Sequence, residues 1–265
     1  MPSQRLRQDF QLLQDAVEEA AVVARRYFER GAKVWEKGPN NPVTEADLAV
    51  DALLKKRLMK ARPDYGWLSE ETPDDGSRLT KSRVWMVDPI DGTKNYLRGV
   101  PVWSTLIALA VDDAYVVGVV SAPAMGRRWW AVQGGGAWTR EVNGDVNQIH
   151  VSGVANLVDA SFSFSDAVDW DRHSTTHGTL QRFVDATWRQ RAYGDFLSHM
   201  LVAEGAVDIS AEPTLAAWDM AALIPIIEEA GGRATGFPGG DPLVQTSLVC
   251  TNRLLHDHAL GLILQ

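Results

Sequence analysis

Two carboxylates three residues apart, directly after an apolar run, are the residues of this chain best suited to chemistry. The segment reads Trp85-Met86-Val87-Asp88-Pro89-Ile90-Asp91-Gly92-Thr93. Its apolar start predicts a buried strand, and the Asp-Gly-Thr sequence predicts a turn that opens a helix. Such a turn holds oxygen ligands at the end of a strand and directs backbone N–H groups toward a bound anion. A metal-dependent phosphoryl site needs both features.

Two further acids stand in a similar context. Glu70 follows a predicted strand, and Asp219 precedes an apolar segment with helical spacing. Taken singly, Asp219 could be the N-cap of that helix, Asp91 could complete an Asp-Gly turn, and Glu70 could be one of two solvated acids. Their combination predicts a site built from carboxylates.

Helices and antiparallel strands are predicted to position these acids in the first part of the chain. Apolar spacing predicts a helix from about residue 6 to 30, and Thr44 with Asp47 forms a capping signature for a second helix that Pro63 ends. A loop is expected at residues 37–42. Strands are predicted at residues 65–68, 84–87, 104–111, 115–121 and 128–132.

Strands alternate with helices after about residue 151, which is typical of an α/β unit. The predicted strands are 160–165, 208–211 and 247–250, and the predicted helices are 179–186, 196–204, 221–230 and 254–264. Pro225 falls inside one of these helices and predicts a local kink. We therefore expect an α+β N-terminal half, residues 1–150, and an α/β C-terminal half, residues 151–265, packed as one unit.

Composition limits the possible partners and compartment. The 265 residues are 45% hydrophobic and 23% charged, and the formal net charge is −8. This charge disfavours nucleic acid and anionic membranes as partners, and it would also repel an anionic substrate unless bound cations reverse the local field. Cys250 is the single cysteine, no apolar run approaches the length of a membrane span, and we expect a cytoplasmic protein. The polar surroundings of His173 and His177 favour a solvated face over a metal site.

Several segments together resemble one family. These are Pro42-Val43-Thr44-Glu45-Ala46-Asp47, Ser69-Glu70-Glu71, the segment from Val87 to Thr93, Trp218-Asp219 and Glu229-Ala230-Gly231-Gly232. They resemble, in the same order along the chain, the motifs of the inositol monophosphatase superfamily. The resemblance implies a layered αβαβα sandwich of the α/β class, a Mg²⁺-dependent and Li⁺-sensitive phosphatase activity on a small phosphate ester, and commonly a homodimer.

The resemblance also implies roles for individual residues. The metal ligands would be Glu70, Asp88, Asp91, Asp219 and the backbone carbonyl of Ile90. An all-oxygen set of this kind suits two or three Mg²⁺ ions, or Mn²⁺, better than zinc. Glu70 would help to activate the attacking water, and Thr93 with Asp47 would orient it, although Asp47 could equally be only the capping acid.

Substrate contacts are implied in the same way. They would come from Asp91, Gly92, Thr93, Lys94, Arg191, Asp195, Glu212 and Asp219.

One segment bears on which phosphate ester is hydrolysed. Arg191-Ala192-Tyr193-Gly194-Asp195-Phe196 is similar to the histidinol-phosphatase branch of the superfamily. Histidinol phosphate carries an ammonium group, which Asp195 and Glu212 could meet. Asp195 could instead be a helix N-cap, and Arg191 could form a structural ion pair.

Three alternatives remain open at this point. One is an inositol-1-monophosphatase, a second is a related sugar or nucleotide phosphatase, and the third is an inactive regulatory binding protein.

Overall fold

The computed structural model describes residues 2–38, 41–172 and 178–265. The helices in these ranges are α1 (Gln4–Arg30), α2 (Glu45–Ala61), α3 (Thr93–Leu97), α4 (Ala167–Arg172), α5 (Thr179–Ala186), α6 (Asp195–Ala203), α7 (Ala217–Met220), α8 (Leu223–Glu229), α9 (Pro242–Gln245) and α10 (His256–Ile263). The strands are β1 (Val34–Gly38), β2 (Asn41–Thr44), β3 (Gly66–Ser69), β4 (Arg83–Asp91), β5 (Ser104–Val111), β6 (Ala114–Ala122), β7 (Arg127–Val132), β8 (Ala137–Arg140), β9 (Val146–Ile149), β10 (Ser161–Ser163), β11 (Arg189–Arg191), β12 (Ile209–Glu212), β13 (Arg233–Thr235) and β14 (Leu248–Thr251). His173 and His177 lie outside the described residues.

The larger sheet has seven strands in the order β3-β4-β5-β6-β7-β8-β9. Neighbours from β4 to β9 are antiparallel, as the successive hairpin signals predict. The edge strand β3 is parallel to β4, which differs from a wholly antiparallel sheet. The long polar connection between β3 and β4 allows this crossover, since parallel neighbours cannot be joined by a tight turn.

The smaller sheet has five strands in the order β11-β10-β12-β14-β13. Strand β10 is parallel to β11 and to β12, whereas β14 is antiparallel to β12 and β13. The C-terminal half is therefore α/β with a mixed sheet. Strands β1 and β2 form a separate antiparallel hairpin that belongs to neither of these sheets.

In the described part of the chain, three apolar cores fill the spaces between five layers. Because alternate residues of a strand face opposite sides, Trp85 and Val87 of β4 pack toward α1 and α2, while Met86 packs toward α6, α7 and α8. Residues of β14 divide in the same way: Cys250 faces that middle helical layer and Val249 faces α4, α5 and α10. The result is the layered αβαβα sandwich that the family resemblance implies.

The middle core joins the two halves of the chain. Its buried residues include members of both sheets, for example Trp129 of β7 and Cys250 of β14. The division at residue 150 coincides with the end of the larger sheet, but the shared core makes the two halves one packed unit. The division into residues 1–150 and 151–265 therefore stays a proposal.

The N-terminus of α2 follows the predicted capping signature. Thr44 Oγ1 accepts hydrogen bonds from the backbone N–H groups of Ala46 and Asp47, and Asp47 Oδ2 accepts one from Thr44 N at 2.8 Å. This reciprocal arrangement is a capping box, which satisfies N–H groups that the first helical turn leaves free. It also fixes the buried carboxyl group of Asp47 at the start of the helix.

The helix predicted at residues 221–230 is divided in the structure. Helix α7 ends at Met220 and α8 begins at Leu223, with Pro225 in the first turn of α8. Pro225 has no N–H to donate to the carbonyl four residues earlier, so the ladder is interrupted where the kink was expected. The N-cap position predicted for Asp219 is wrong, because Asp219 is the third residue of α7.

Gly118 of β6 allows α8 to approach the larger sheet closely. A Cβ atom at this position would lie 2.1 Å from the carbonyl oxygen of Ala222 and 2.8 Å from Cγ of Pro225. Both distances are shorter than any van der Waals contact. The interrupted helix and the glycine therefore form one packing arrangement, which holds α7 and Asp219 against the sheet.

Candidate active site

The end of β4 carries two of the predicted acids. The strand extends to Asp91, and its pairing with β5 is irregular between Asp88 and Asp91. Asp88 Oδ1 accepts a hydrogen bond from Ile90 N at 3.0 Å, and Asp91 Oδ2 accepts one from Phe196 N at 2.9 Å. The bulge turns both carboxylates toward the same end of the sheet, and the second contact ties this strand to α6.

Helix α7 brings a third carboxylate to this position. Asp219 Oδ2 accepts a hydrogen bond from Ala216 N at 2.8 Å, which fixes the side chain at the helix N-terminus. Asp88, Asp91 and Asp219 each offer an oxygen, and these oxygens lie within 4.8 Å of one another. The sequence-predicted cluster is thus assembled from two distant parts of the chain.

This cluster has the electrostatics of a cation site. Burial raises the pKa of Asp88 and Asp91 well above the usual range, and neighbouring carboxylates raise both further. Burial, with a further contribution from Glu70, raises the pKa of Asp219 to about 7. A divalent cation would relieve this unfavourable concentration of charge, and three closely spaced oxygen donors match the ligands that Mg²⁺ and Mn²⁺ prefer. The residues present therefore fit a magnesium-type ion.

Glu70 lines the same cleft and pairs with Lys37, which no sequence motif had pointed to. Lys37 Nζ lies 2.7 Å from Glu70 Oε1 and 2.7 Å from Glu71 Oε1. Lys37 is on β1, within the segment for which a loop was expected. That expectation is wrong for residues 37–38 and 41–42, which belong to β1 and β2. The exposed hairpin has no apolar alternation that would reveal it.

Thr93 follows the end of β4 and Asp47 lies at the start of α2, and the two side chains make separate hydrogen bonds. Thr93 Oγ1 donates to the carbonyl oxygen of Ile90 at 3.0 Å. Asp47 Oδ1 is buried and has no hydrogen-bond partner among the described residues. Burial and the charge of Glu70 raise the pKa of Asp47. The joint role of Thr93 and Asp47 in orienting water stays a proposal.

Gly92 is required by the turn that begins α3. Its φ is +82°, and a Cβ atom would lie 3.0 Å from the Val102 carbonyl oxygen and 3.2 Å from Asp195 Oδ2. Only glycine adopts this backbone conformation readily and leaves room for both oxygens. Helix α3 is a single short turn, so the expected phosphate contacts of Gly92 and Thr93 remain a proposal.

Glu70, Gly92, Thr93 and the three clustered aspartates line one cleft of about 240 Å³, whereas Lys37, Glu71 and Asp47 are not among its lining residues. Its walls are formed by Glu70, Asp88, Ile90, Asp91, Gly92, Thr93, Lys94, Ser165, Asp166, Asp169, Asp195, Phe196, His199, Glu212, Thr214, Leu215, Asp219 and Leu223. A larger cavity of about 570 Å³ shares Thr214 with this cleft, but no acidic side chain of the described residues lines it. The chemistry therefore belongs to the smaller cleft.

Asp195 and Glu212 extend the acidic lining away from the three-carboxylate cluster. Burial raises the pKa of Asp195 to about 6 and that of Glu212 to about 8. Gly194 precedes α6 and Asp195 is its first residue, so the N-cap alternative for Asp195 is not realised. Ser165 Oγ donates to Glu212 Oε1 at 2.6 Å and accepts from Asp195 N at 2.7 Å. One hydroxyl group thereby joins the carboxyl group of Glu212 to the backbone of Asp195.

Arg191 is apart from this cleft. It is exposed at the end of β11, and its Nη1 donates to the carbonyl oxygen of Gln190 at 2.6 Å. It does not appear among the residues that line the cleft. Its proposed contact with substrate therefore has no support from this arrangement of the chain.

Sequence reasoning missed several residues of the cleft. Ser165 and His199 occur in segments without a distinctive pattern, and their partners are distant in sequence. His199 is buried, its Nδ1 lies 2.8 Å from Ser210 Oγ, and burial lowers its pKa to about 4. The imidazole is therefore neutral at physiological pH, and it contributes no charge to the cleft.

Comparison with known proteins agrees with the family resemblance of the sequence motifs. The profile of the inositol monophosphatase family matches residues 5–264. The histidinol-phosphatase of Mycobacterium tuberculosis is 51% identical over 222 residues, which cover 83% of this chain and 83% of that protein. The histidinol-phosphatase of Streptomyces coelicolor is 46% identical over 257 residues, covering 94% and 93%. Among solved structures, an IMPase of Thermotoga maritima superposes with a TM-score of 0.83 at 29% identity, covering 97% and 96% of the two chains.

Proposed function

Because the chain belongs to the inositol monophosphatase family, we propose that it is a Mg²⁺-dependent phosphatase that hydrolyses L-histidinol phosphate to L-histidinol and phosphate. The observation that carries the choice of substrate is a further pair of acids, the half-buried Asp195 and the buried Glu212, in the same cleft as the three-carboxylate cluster. The similarity to two histidinol-phosphatases at 46% and 51% identity supports the same choice.

Two or three Mg²⁺ ions, or Mn²⁺, would be held by Glu70, Asp88, Asp91, Asp219 and the carbonyl oxygen of Ile90. When bound, such ions neutralise the phosphoryl group and stabilise the charge that develops in the transition state. The closeness of the three aspartates supports this assignment, because their mutual repulsion favours binding of a cation.

The chain's own residues would position the reactants and move the proton. Glu70 lines the cleft and would accept the proton of the attacking water. Asp47 has a buried oxygen without a donor among the described residues, and together with Thr93 it would orient the same water. The N–H groups of Gly92 and Thr93, together with Lys94, would contact the phosphate oxygens.

The leaving alcohol would be recognised by charge. The primary ammonium of histidinol phosphate would favour the ionised forms of Asp195 and Glu212, which burial disfavours in its absence. A neutral polyol would gain only hydrogen bonds at these positions. The cleft is therefore better suited to a cationic alcohol than to inositol.

Steady-state rates with histidinol phosphate and inositol 1-phosphate test the choice of substrate. We expect kcat/KM to be higher for histidinol phosphate. A clear preference for inositol 1-phosphate would overturn the choice of substrate and favour the second candidate, an inositol monophosphatase. That candidate draws support from the Thermotoga maritima IMPase and from Glu212, which could accept hydrogen bonds from inositol hydroxyl groups. A sugar or nucleotide phosphatase is a variant of this second candidate, in which the same site acts on a different phosphate ester.

An inactive regulatory protein is disfavoured by the intact acidic set of the cleft. Glu70, Asp88, Asp91 and Asp219 all line it. No described helix has the length and apolar character needed to cross a membrane. We further propose a cytoplasmic homodimer that binds neither nucleic acid nor membranes, and size-exclusion chromatography with light scattering would test the dimer.

A further inference from the structure

Asn95 makes two hydrogen bonds that join the phosphate end of the cleft to its far wall. Its Nδ2 donates to Asp195 Oδ2 at 2.8 Å and to the carbonyl oxygen of Val102 at 3.0 Å. Both partners are acceptors only, so the orientation of the amide is fixed and both of its N–H bonds are used. Asn95 belongs to α3, the turn that begins at Gly92, whereas Asp195 begins α6 in the other half of the chain.

The orientation of the Asp195 carboxylate depends on its hydrogen bond with Asn95. Among the described residues, Asn95 is the hydrogen-bond donor to Oδ2, and Oδ1 accepts no hydrogen bond. Lys94 supplies positive charge nearby but forms no ion pair with Asp195 within 4.0 Å. The hydrogen bond from Asn95 to Oδ2, rather than a salt bridge, therefore leaves Oδ1 of Asp195 available to a ligand.

The backbone of Asp195 is held in an unusual conformation. Its φ is +47°, which costs energy for a residue with a side chain, although aspartate tolerates it better than most. Its N–H donates to Ser165 Oγ at 2.7 Å. Fixing the backbone on one side and Oδ2 on the other leaves the side chain little freedom.

We infer that Asn95 is a positioning residue for substrate specificity: it holds Oδ2 of Asp195 so that Oδ1 receives the ammonium group at a fixed distance from the phosphate site. This inference rests on the proposed hydrolysis of histidinol phosphate. The separation is fixed because Asn95 lies on the same short helix as the residues expected to contact phosphate. Substrates with an ammonium group at that distance gain binding affinity from the contact with Oδ1, and phosphate esters without an ammonium group do not.

The test compares two substrates in the full-length protein with Mg²⁺. These are histidinol phosphate and glycerol 2-phosphate, which has no ammonium group. We expect Asn95→Ala to raise KM for histidinol phosphate roughly 10-fold or more, as for a lost hydrogen bond to a charged group. For glycerol 2-phosphate, kcat/KM should change less than about 3-fold. Asn95→Asp keeps the side-chain shape but places a carboxylate against two acceptors, so its effect on histidinol phosphate should be at least as large.

Leu97→Ala, a partly exposed position on the same helix, is the matched control and should behave as the wild type with both substrates. Equal losses on both substrates in the Asn95 variants, or no loss on histidinol phosphate, would overturn the positioning role. If the wild type itself shows no preference for histidinol phosphate over glycerol 2-phosphate, the proposed function fails, and the inference falls with it.

Discussion

Burial gives the carboxyl groups of this cleft their high proton affinity. It raises the pKa of Asp219 to about 7 and that of Glu212 to about 8, and it also raises the pKa of Asp195. Each group binds a cation only after it has lost its proton. Binding of a metal ion or of an ammonium group should therefore release protons, and both affinities should rise with pH through this range.

Glu212 should make the metal-free protein less stable as pH rises. Its folded-state pKa, about 8, lies above its ordinary value of 4.5, so between these values the folded protein binds more protons than the unfolded chain. The stabilisation is complete below pH 4.5 and is lost as pH rises through about 8, at up to roughly 1.4 kcal/mol per pH unit. Glu212→Gln, whose amide is always neutral, should flatten this dependence.

Urea unfolding in chelator at several pH values measures the effect of Glu212. The exposed Glu36→Gln is a matched control and should retain the slope of the wild type. Parallel curves for the wild type and Glu212→Gln would contradict the prediction.

At the scale of elements, the sequence predicted best the strands and helices that have a buried face. Strand β5 was predicted with its observed ends, because seven of its eight residues are buried and six are apolar. Strands β1 and β9 were missed, because most of their residues are exposed and lack the alternation that identifies a strand. Local pattern also misplaced Asp219 by assigning it the N-cap, a position that Ala216 occupies in the structure.

The candidate site was predictable to the extent that it follows local motifs. Asp88, Asp91 and Asp219 were identified from short segments, and the structure brings all three together. Lys37 and Asn95 could not be found in this way. Their importance comes from partners 33 and 100 residues away, and a single sequence carries no signal of such contacts.

Gly118→Ala should destabilise the packing of α8 on the larger sheet. The added methyl group would lie 2.1 Å from the Ala222 carbonyl oxygen, and the backbone there cannot move aside as a flexible side chain can. Overpacking of this kind costs about 1–3 kcal/mol or more. Thermal unfolding followed by circular dichroism measures the loss, and activity should fall with it because α7 carries Asp219.

Gly153→Ala is a matched control for Gly118→Ala. Gly153 has no atom within 4 Å of an added Cβ and does not have a positive φ, so Gly153→Ala should change stability little. Equal stability of the two variants would show that α8 is not packed as closely as described.

At the scale of the whole molecule, polar contacts as well as the apolar core connect the two halves. Glu204, which follows α6, accepts hydrogen bonds from Arg127 Nη2 and Trp129 Nε1 of β7, each at 2.5 Å. The bond from Phe196 N to Asp91 Oδ2 makes a second connection at the cleft itself. Binding of a cation at the cluster should therefore stabilise the entire fold rather than one loop.

Addition of Mg²⁺ to chelator-treated protein should raise the midpoint of thermal unfolding. At a concentration about 100 times the Kd, the gain is about 2.7 kcal/mol, which corresponds to a shift of roughly 5 °C or more in a chain of this size. Asp88→Asn should abolish most of this shift and lower activity at least roughly 100-fold. Without metal, the same variant should melt above the wild type, because it removes a buried, repelled carboxyl group.

Calorimetry with and without Mg²⁺ provides these midpoints. Unchanged activity in Asp88→Asn would show that the assignment of the metal ligands is wrong. A Mg²⁺-induced shift in Asp88→Asn equal to that of the wild type would contradict the coupling between ion and fold.

The division of the cluster between β4 and α7 also has a consequence for the order in which the protein matures during translation. A nascent chain that has emerged through the larger sheet already displays Asp88 and Asp91, but Asp219 is synthesised only after most of the smaller sheet. Until then the ribosome-bound protein lacks the third carboxylate and much of the middle core. The complete set of three carboxylates would therefore be available to a cation only late in synthesis, after β10, β11 and β12 of the smaller sheet have been made.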